Sequence, residues 1–204
     1  MKNLQENSFT LFTPRKGFKI SVEIVVYPLI IMSFLLFYFF DQIYPSYFWK
    51  SIAQKGLYLS FGLMIFFSFF RMFDYKSLHG SLKGALKFSA DQIFAGTVIY
   101  KMEQIKKIEL HFDDYHGLIH GSGKYGLNPM KSLGTGNSCV LTMLDGEVVR
   151  IFFQIYAKGE FNKMRDLMIE YQKQNKIHFL KLIEYLGMND YDEIQLLKKK
   201  VQNN

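Results

Sequence analysis

Residues 20–40 read ISVEIVVYPLIIMSFLLFYFF, an apolar run in which Glu23 is the only formal charge. An α-helix needs about 20 apolar residues to cross a hydrocarbon core, and the run supplies them. An export signal is the competing reading. Its apolar part is shorter, about 7–15 residues, and ends at a small-residue cleavage site, whereas this run continues into the bulky DQIYPS. A second run, GLYLSFGLMIFFSFF at 56–70, reaches spanning length with the flanking SIAQK. Phenylalanines lie all around both segments and leave no polar face for water, which argues against a helical hairpin buried in a soluble protein. The expectation is a transmembrane hairpin over 20–73, with helices at about 20–40 and 53–73.

Between the runs, Tyr44, Tyr47, Phe48 and Trp49 cluster as an aromatic belt does at headgroup depth. Arg15, Lys16 and Lys19 precede the hairpin, and Arg71, Lys76, Lys83 and Lys87 follow it, against Lys50 and Lys55 in the connection. The positive-inside rule then places both termini in the cytoplasm, with a cytoplasmic N-terminal segment over 1–19. Pro28 kinks the first helix. Glu23, in its first turn, is expected to reach the interface beside Lys19 and to complement the helix N-terminus.

The chain has 204 residues, a formal charge of +7 and 21 phenylalanines, room for one ordinary domain beside the hairpin. The lone Cys139 cannot form an intramolecular disulfide and reads as a small hydrophobe in a strand. After a linker over 74–81, the pattern changes to alternation from residue 82. ALKFSADQIFAGTVIYKM is a strand, a turn around 89–92 and a second strand; QIKKIELHF is a third. NSCVLTML and EVVRIFFQI flank Asp145-Gly146, the strongest hairpin signal in the chain. Phe161, Met164, Leu167, Met168 and Tyr171 then recur at helical steps over 159–174 and form one stripe that would cover an open sheet. Further helices are expected at 178–187 and 191–201.

This order, with LKFSADQIFAG, IKKIEL, GTGNSCVLTMLDGE and EFNKMRDLMIEY in sequence, resembles the bacterial pleckstrin-homology-like domains, many of which hang from one or two transmembrane helices. The resemblance covers about 82–176 and leaves 177–204 as a helical extension. It implies an α+β membrane protein, a small antiparallel PH-like domain closed by an amphipathic helix. The turn at 89–92 lacks the Lys and Arg cluster of the phosphoinositide-binding relatives, so that ligand is not implied.

HGSGKYG at 120–126 has the G-x-G-x-x-G spacing. A dinucleotide site needs those glycines to leave a strand and open a helix; here Asn128-Pro129, Gly134 and Gly136 follow, so the better reading is a long loop over 113–136. His120, Lys124 and Tyr125 are its ligand or interaction candidates, together with Lys101, Lys106 and Lys107 in the strands. Asp113, Asp114, His116 and His120 could suggest a metal, but Gly117, Gly121 and Gly123 break the helix that would align the histidines, and no metal or cofactor is expected. Ser122 lacks a nucleophile's strand-to-helix context, and no aromatic-interleaved basic face for nucleic acid is present. The expected protein is not an enzyme: it contacts the bilayer and a protein partner or a second copy of itself, with Tyr44, Tyr47, Trp49, Arg15, Lys16, Lys19, Arg71 and Lys76 at the membrane interface. The alternative is a ligand-gated effector, in which a small molecule such as a cyclic nucleotide makes the helices oligomerise.

Overall fold

The structure, a computed structural model, describes residues 7–15, 17, 22–44, 46–119 and 127–202. In chain order the elements are β1 (Asn7–Pro14), α1 (Val22–Tyr38), α2 (Tyr47–Phe70), β2 (Gly80–Phe88), β3 (Gln92–Ala95), β4 (Val98–Lys101), β5 (Ile105–His111), β6 (His116–Ile119), β7 (Lys131–Leu133), β8 (Asn137–Met143), β9 (Val148–Gln154), α3 (Arg165–Lys173), α4 (Phe179–Tyr185) and α5 (Tyr191–Gln202). They make two compact units. One comprises Met1–Arg15, Leu78–Gly117 and Ser132–Asn204; the other comprises Lys16–Ser77 and Leu118–Lys131.

The first unit is built on an antiparallel seven-stranded sheet in the order β4-β3-β2-β1-β9-β8-β5. Its middle strand comes from before the hairpin. NSFTLFTP, read from sequence as part of a cytoplasmic tail over 1–19, pairs with β2 from Asn7↔Phe88 to Pro14↔Gly80 and with β9 at Thr10↔Gln154. The physical reason is Phe9, which is 3% exposed and whose ring meets those of Phe153 at 5.2 Å and Phe161 at 5.4 Å. A second correction concerns the stretch after the turn at 89–92, up to Met102, read as one strand. Gly96, at φ +65, turns the chain between β3 and β4. The hairpin at Asp145-Gly146 forms as expected, with Gly146 at φ +93 and the Asp145 carboxylate accepting from the Glu147 N–H at 2.9 Å.

The amphipathic stripe covers the sheet as its spacing requires. A 3-10 turn over Glu160–Met164 leads into α3, and Phe161, Met164, Leu167, Met168 and Tyr171 are all in the core with Leu86, Ile93, Ile108, Leu141 and Phe153. The Tyr171 hydroxyl donates to the Ser89 carbonyl at 2.8 Å. Tyr171→Phe is therefore expected to cost about 1 kcal/mol, read as a lower unfolding temperature with an unchanged far-ultraviolet spectrum.

The domain also runs past the expected end at 176. Ile177, Leu182, Met188 and Leu197 belong to the same core, because the segment after α3 covers the outer edge of β5. The Ile108 N–H donates to the Lys176 carbonyl at 2.8 Å, the Leu110 N–H to the Tyr185 hydroxyl at 3.0 Å, and Lys176 Nζ to the Ile105 carbonyl at 2.7 Å. A bare strand edge invites pairing with other chains, and this one is closed. Cys139, in β8, is fully buried, and burial pushes its thiol far above the ordinary range.

In the second unit α1 together with the helical turn that continues it to Ile43, and α2, are each long and apolar enough to cross a membrane. The first helix ends in a π-turn over Phe39–Ile43. The second starts at Tyr47 and ends at Phe70, not 53–73, so Tyr47, Phe48 and Trp49 stand on a helix and not in a loop. Ala53, Gly56 and Ser60 recur along α2; Ala53 and Ser60 are buried, and a methyl group on Gly56 would touch the Ser33 hydroxyl at 3.4 Å. Small residues at such positions let two helices approach closely.

Candidate functional site

The long connection between β5 and β8 is anchored in both units, by its two ends in the sheet unit and by the stretch 127–131 in the hairpin unit. In the sheet unit the anchor is Asp114, 7% exposed. Its Oδ2 accepts from the Ser132 hydroxyl at 2.7 Å and from the Gly136 N–H at 2.7 Å, and its own N–H donates to Asn137 Oδ1 at 3.0 Å. Asn137 Nδ2 donates to the Gly134 carbonyl at 2.8 Å. A buried carboxylate is tolerated when hydrogen-bond donors meet it, and two donors converge on this Oδ2. Gly134 completes the arrangement at φ +72: the Ile155 N–H donates to its carbonyl at 2.9 Å, and a side chain there would run into the Ile155 carbonyl oxygen and, at 2.7 Å, the His116 nitrogen.

Ser132 is not poised as a nucleophile. Its hydroxyl proton goes to Asp114, while its oxygen accepts from the Gly134 N–H at 2.9 Å. His116, in β6, stacks on Tyr156 with ring centroids 4.9 Å apart. The Asp114 cluster is thus a clamp on the ends of the loop. Asp114→Ala strands the buried Ser132 hydroxyl and should cost about 1–3 kcal/mol, measured by thermal unfolding; Asp114→Asn, which keeps an acceptor, should cost less.

In the hairpin unit the end of the same loop lies along the end of α2. The Leu127 N–H donates to Glu23 Oε1 at 2.9 Å, so Glu23 holds this segment; Lys19, its expected neighbour, lies outside the described residues. The Met130 N–H donates to the Arg71 carbonyl at 2.9 Å, the Lys131 N–H to the Asp74 carbonyl at 3.2 Å, and the Lys76 N–H to the Lys131 carbonyl at 2.9 Å. Lys131 Nζ lies 5.4 Å from the Tyr75 ring centroid. One guanidinium nitrogen of Arg71, Nη1, is buried without a hydrogen-bond partner among the described residues. Three cationic residues, Arg71, Lys76 and Lys131, are thereby collected at the base of the hairpin by backbone bonds.

Searches of protein-family models, curated proteins and solved structures find no match to the chain.

Of the residues singled out from sequence, Arg71 and Lys76 come together with Lys131, which the sequence reading did not select. Tyr44, Tyr47 and Trp49 are exposed around the turn of the hairpin, Tyr47 at 91%. Arg15 is exposed, and its N–H donates to the His79 carbonyl at 3.1 Å. Lys101, Lys106 and Lys107 are exposed on β4 and β5, and Lys107 pairs with Glu109 at 2.7 Å, which holds that carboxyl below the usual carboxylate range. Lys16, Lys19, His120, Lys124 and Tyr125 lie outside the described residues, as does the HGSGKYG stretch itself. Among the described residues no three His, Cys, Asp or Glu side chains gather as metal ligands do.

A polar concavity of about 310 Å³ in the sheet unit is lined by Ser8, Thr10, Gln154, Tyr156 and Glu160 among others. Its charged lining group is the Glu160 carboxylate, which accepts from the Tyr156 N–H at 2.8 Å and from Lys163 at 3.2 Å. An anionic ligand would meet a carboxylate there.

Proposed function

We propose that the chain is a non-enzymatic integral protein of the cytoplasmic membrane. In this reading its hairpin tethers a PH-like domain that makes protein contacts and, at the base of the hairpin, contacts anionic lipid headgroups. The observation that carries the tether is the pairing of β1 with β2. The chain leaves the sheet after Pro14 and rejoins it at Gly80, the register partner of Pro14. A strand before the hairpin and strands after it can share one sheet only if both lie on the same side of a bilayer, and two crossings provide that.

The PH-like reading is supported by an antiparallel sheet in which the meander β1–β4 is extended beyond β1 by β9, β8 and β5, with α3 packed on its core and the hairpin placed in its first connection. The turn at 89–92 is already engaged by α3: the Tyr171 hydroxyl bonds the Ser89 carbonyl, and Gln174 Nε2 the Ala90 carbonyl at 3.2 Å. Headgroup contact is therefore assigned to Arg71, Lys76 and Lys131, where each cation near an anionic leaflet adds about 1 kcal/mol. A ligand-gated effector answering to a nucleotide is less well supported, since the polar concavity offers a carboxylate where a phosphate would need a cation.

The chain should resist extraction from membranes by alkaline carbonate, and reporters fused at either end should both be active in the cytoplasm. Carbonate release, or reporters active on opposite sides, would overturn the reading. Affinity capture of the full chain from native membranes would then identify the partner.

A further inference from the structure

We propose that the outer edge of β4 is where a partner protein docks, by adding an extended segment whose basic residues meet the acidic groove beside that strand. The sheet has two edges, β5 and β4. The chain closes the first itself, through Lys176 and Tyr185. Toward the second, hydrogen bonding alternates along the backbone. The Gln92 carbonyl accepts from the Ser89 N–H at 3.0 Å and the Gly96 N–H donates to the Ala85 carbonyl at 2.9 Å, so residues 92, 94 and 96 turn their backbone groups toward the β2 side. Ile93 and Ala95 therefore bond β4, through their register partners Tyr100 and Val98. The Met102 N–H continues that side by donating to the Asp91 carbonyl at 2.8 Å. The N–H and C=O groups of Ile99 and Lys101 thus point outward, and among the described residues no hydrogen bond reaches them. Val98 and Ile99 are half exposed, at 50% and 51%.

A row of unpaired backbone groups accepts another extended chain, and the side chains next to it set which chain that is. Here they form a groove of about 350 Å³ lined by Glu103, Gln104, Met143, Leu144 and Asp145. Glu103 follows β4 directly, and the turn between β8 and β9 brings in Asp145, because the Leu144 N–H donates to the Gln104 carbonyl at 2.9 Å. Glu147, in the same turn, lies close enough to Tyr100 of β4 that its charge adds to burial in pushing that hydroxyl up. None of Glu103, Asp145 and Glu147 is in an ion pair with a described residue. Lys101, at the end of the strand, alternates with Tyr100 and so stands on the opposite face of the sheet. Unpaired carboxylates gathered at one end of a chain of formal charge +7 call for a cationic neighbour.

The full chain in neutral detergent micelles is titrated against a fluorescein-labelled decapeptide of three Thr-Val repeats with Arg-Arg at each end, and read by fluorescence anisotropy. The β-branched repeats favour extended backbone, and arginines at both ends serve either strand direction. The expected result is saturable binding, about tenfold weaker for the counterpart with Glu-Glu at each end. The mean field of a positively charged chain favours the acidic peptide, so a preference for the basic one comes from the groove. Ile99→Pro removes one outward N–H and no bond to β3, a substitution that an edge strand accepts. It should keep the unfolding temperature and weaken binding by at least about tenfold. Glu103→Gln with Asp145→Asn, which leaves an Asn-Gly turn, should weaken binding of the basic peptide by about fivefold, as one or two exposed ion pairs do.

Absence of saturable binding, equal or tighter binding of the acidic peptide, or unchanged binding by a folded Ile99→Pro chain would overturn the proposal. So would a wild-type dimer that Ile99→Pro makes monomeric and that ignores the peptide, because a second copy then covers the edge. Where Ile99→Pro lowers the unfolding temperature, the carboxylate variant decides: weakened binding of the basic peptide upholds the site and unchanged binding removes it. The inference names the partner's chemistry for the protein contacts proposed above and rests on that reading. The two failures are distinguishable. A chain released by carbonate that still prefers the basic peptide removes the membrane tether alone, whereas a membrane-bound chain indifferent to the peptide removes the docking site alone.

Discussion

Phe9→Ala is expected to cost the sheet unit about 3–5 kcal/mol, the usual range for deleting a buried phenylalanine ring. Domains of this kind are stable by about 5–15 kcal/mol in total, so the variant should populate unfolded molecules and be degraded in cells. The effect is large because β1 is a middle strand: Phe9 contacts the rings of Phe88, Phe153 and Phe161, one from each neighbouring strand and one from the turn before α3. Lys163 Nζ, 4.3 Å from the same ring centroid, also donates to the Ser8 carbonyl. The same physics predicts that a fragment beginning at residue 82 will not fold. It lacks the strand that joins β2 to β9, and would expose two inner edges at once. Limited proteolysis of the fragment beside the full chain should show rapid cleavage of the first and a protected core in the second.

Gly134→Ala should destabilise the same unit by about 2–4 kcal/mol, because strained torsion and steric overlap add. Gly146→Ala is the matched control. Both glycines have positive φ, but a methyl group on Gly146 meets nothing within 4 Å, whereas on Gly134 it meets the Ile155 carbonyl and the His116 nitrogen. The control should therefore lose only about 1 kcal/mol, the torsional part. Equal losses in thermal unfolding would mean that the close approach at Gly134 relaxes freely and that the loop ends are not clamped.

What the sequence made legible follows from how local each signal is. The Asp145-Gly146 hairpin and the stripe from Phe161 to Tyr171 are set by residues within a few positions of each other, and both formed where expected. β1 was missed because its partners lie beyond the hairpin. NSFTLFTP is a short alternation whose meaning depends on Phe88 and Phe153, and position in the chain argued for a tail. The break at Gly96 was hidden because QIFAGTVIYK is apolar on both sides of it. The start of α2 was misplaced because Tyr47, Phe48 and Trp49 fit an interfacial loop as well as an interfacial helix turn.

At the candidate sites, Arg71 and Lys76 were visible as charge beside an apolar run. Lys131 was not, and Glu23 was read as an interfacial charge beside Lys19 and not as the acceptor of the Leu127 N–H, since the contacts of both are made by backbone groups of a segment far along the chain. Asp114 gave only a weak signal: an acid before an aromatic residue, with Gly-Thr-Gly-Asn downstream.

The central claim is that the chain before and after the hairpin builds one sheet. It is tested most directly by a cross-link in intact membranes. Ser8 and Lys87 are register partners on β1 and β2, and directly opposed strand residues come within the distance a disulfide can bridge. A chain carrying Ser8→Cys and Lys87→Cys, with a protease site inserted after the exposed Gly17, is oxidised in membranes, cleaved and run on a non-reducing gel. The account predicts that the two pieces stay joined until reductant is added, and that a Ser8→Cys, Lys106→Cys control separates without it. Separation of the Ser8→Cys, Lys87→Cys chain after oxidation would contradict the account.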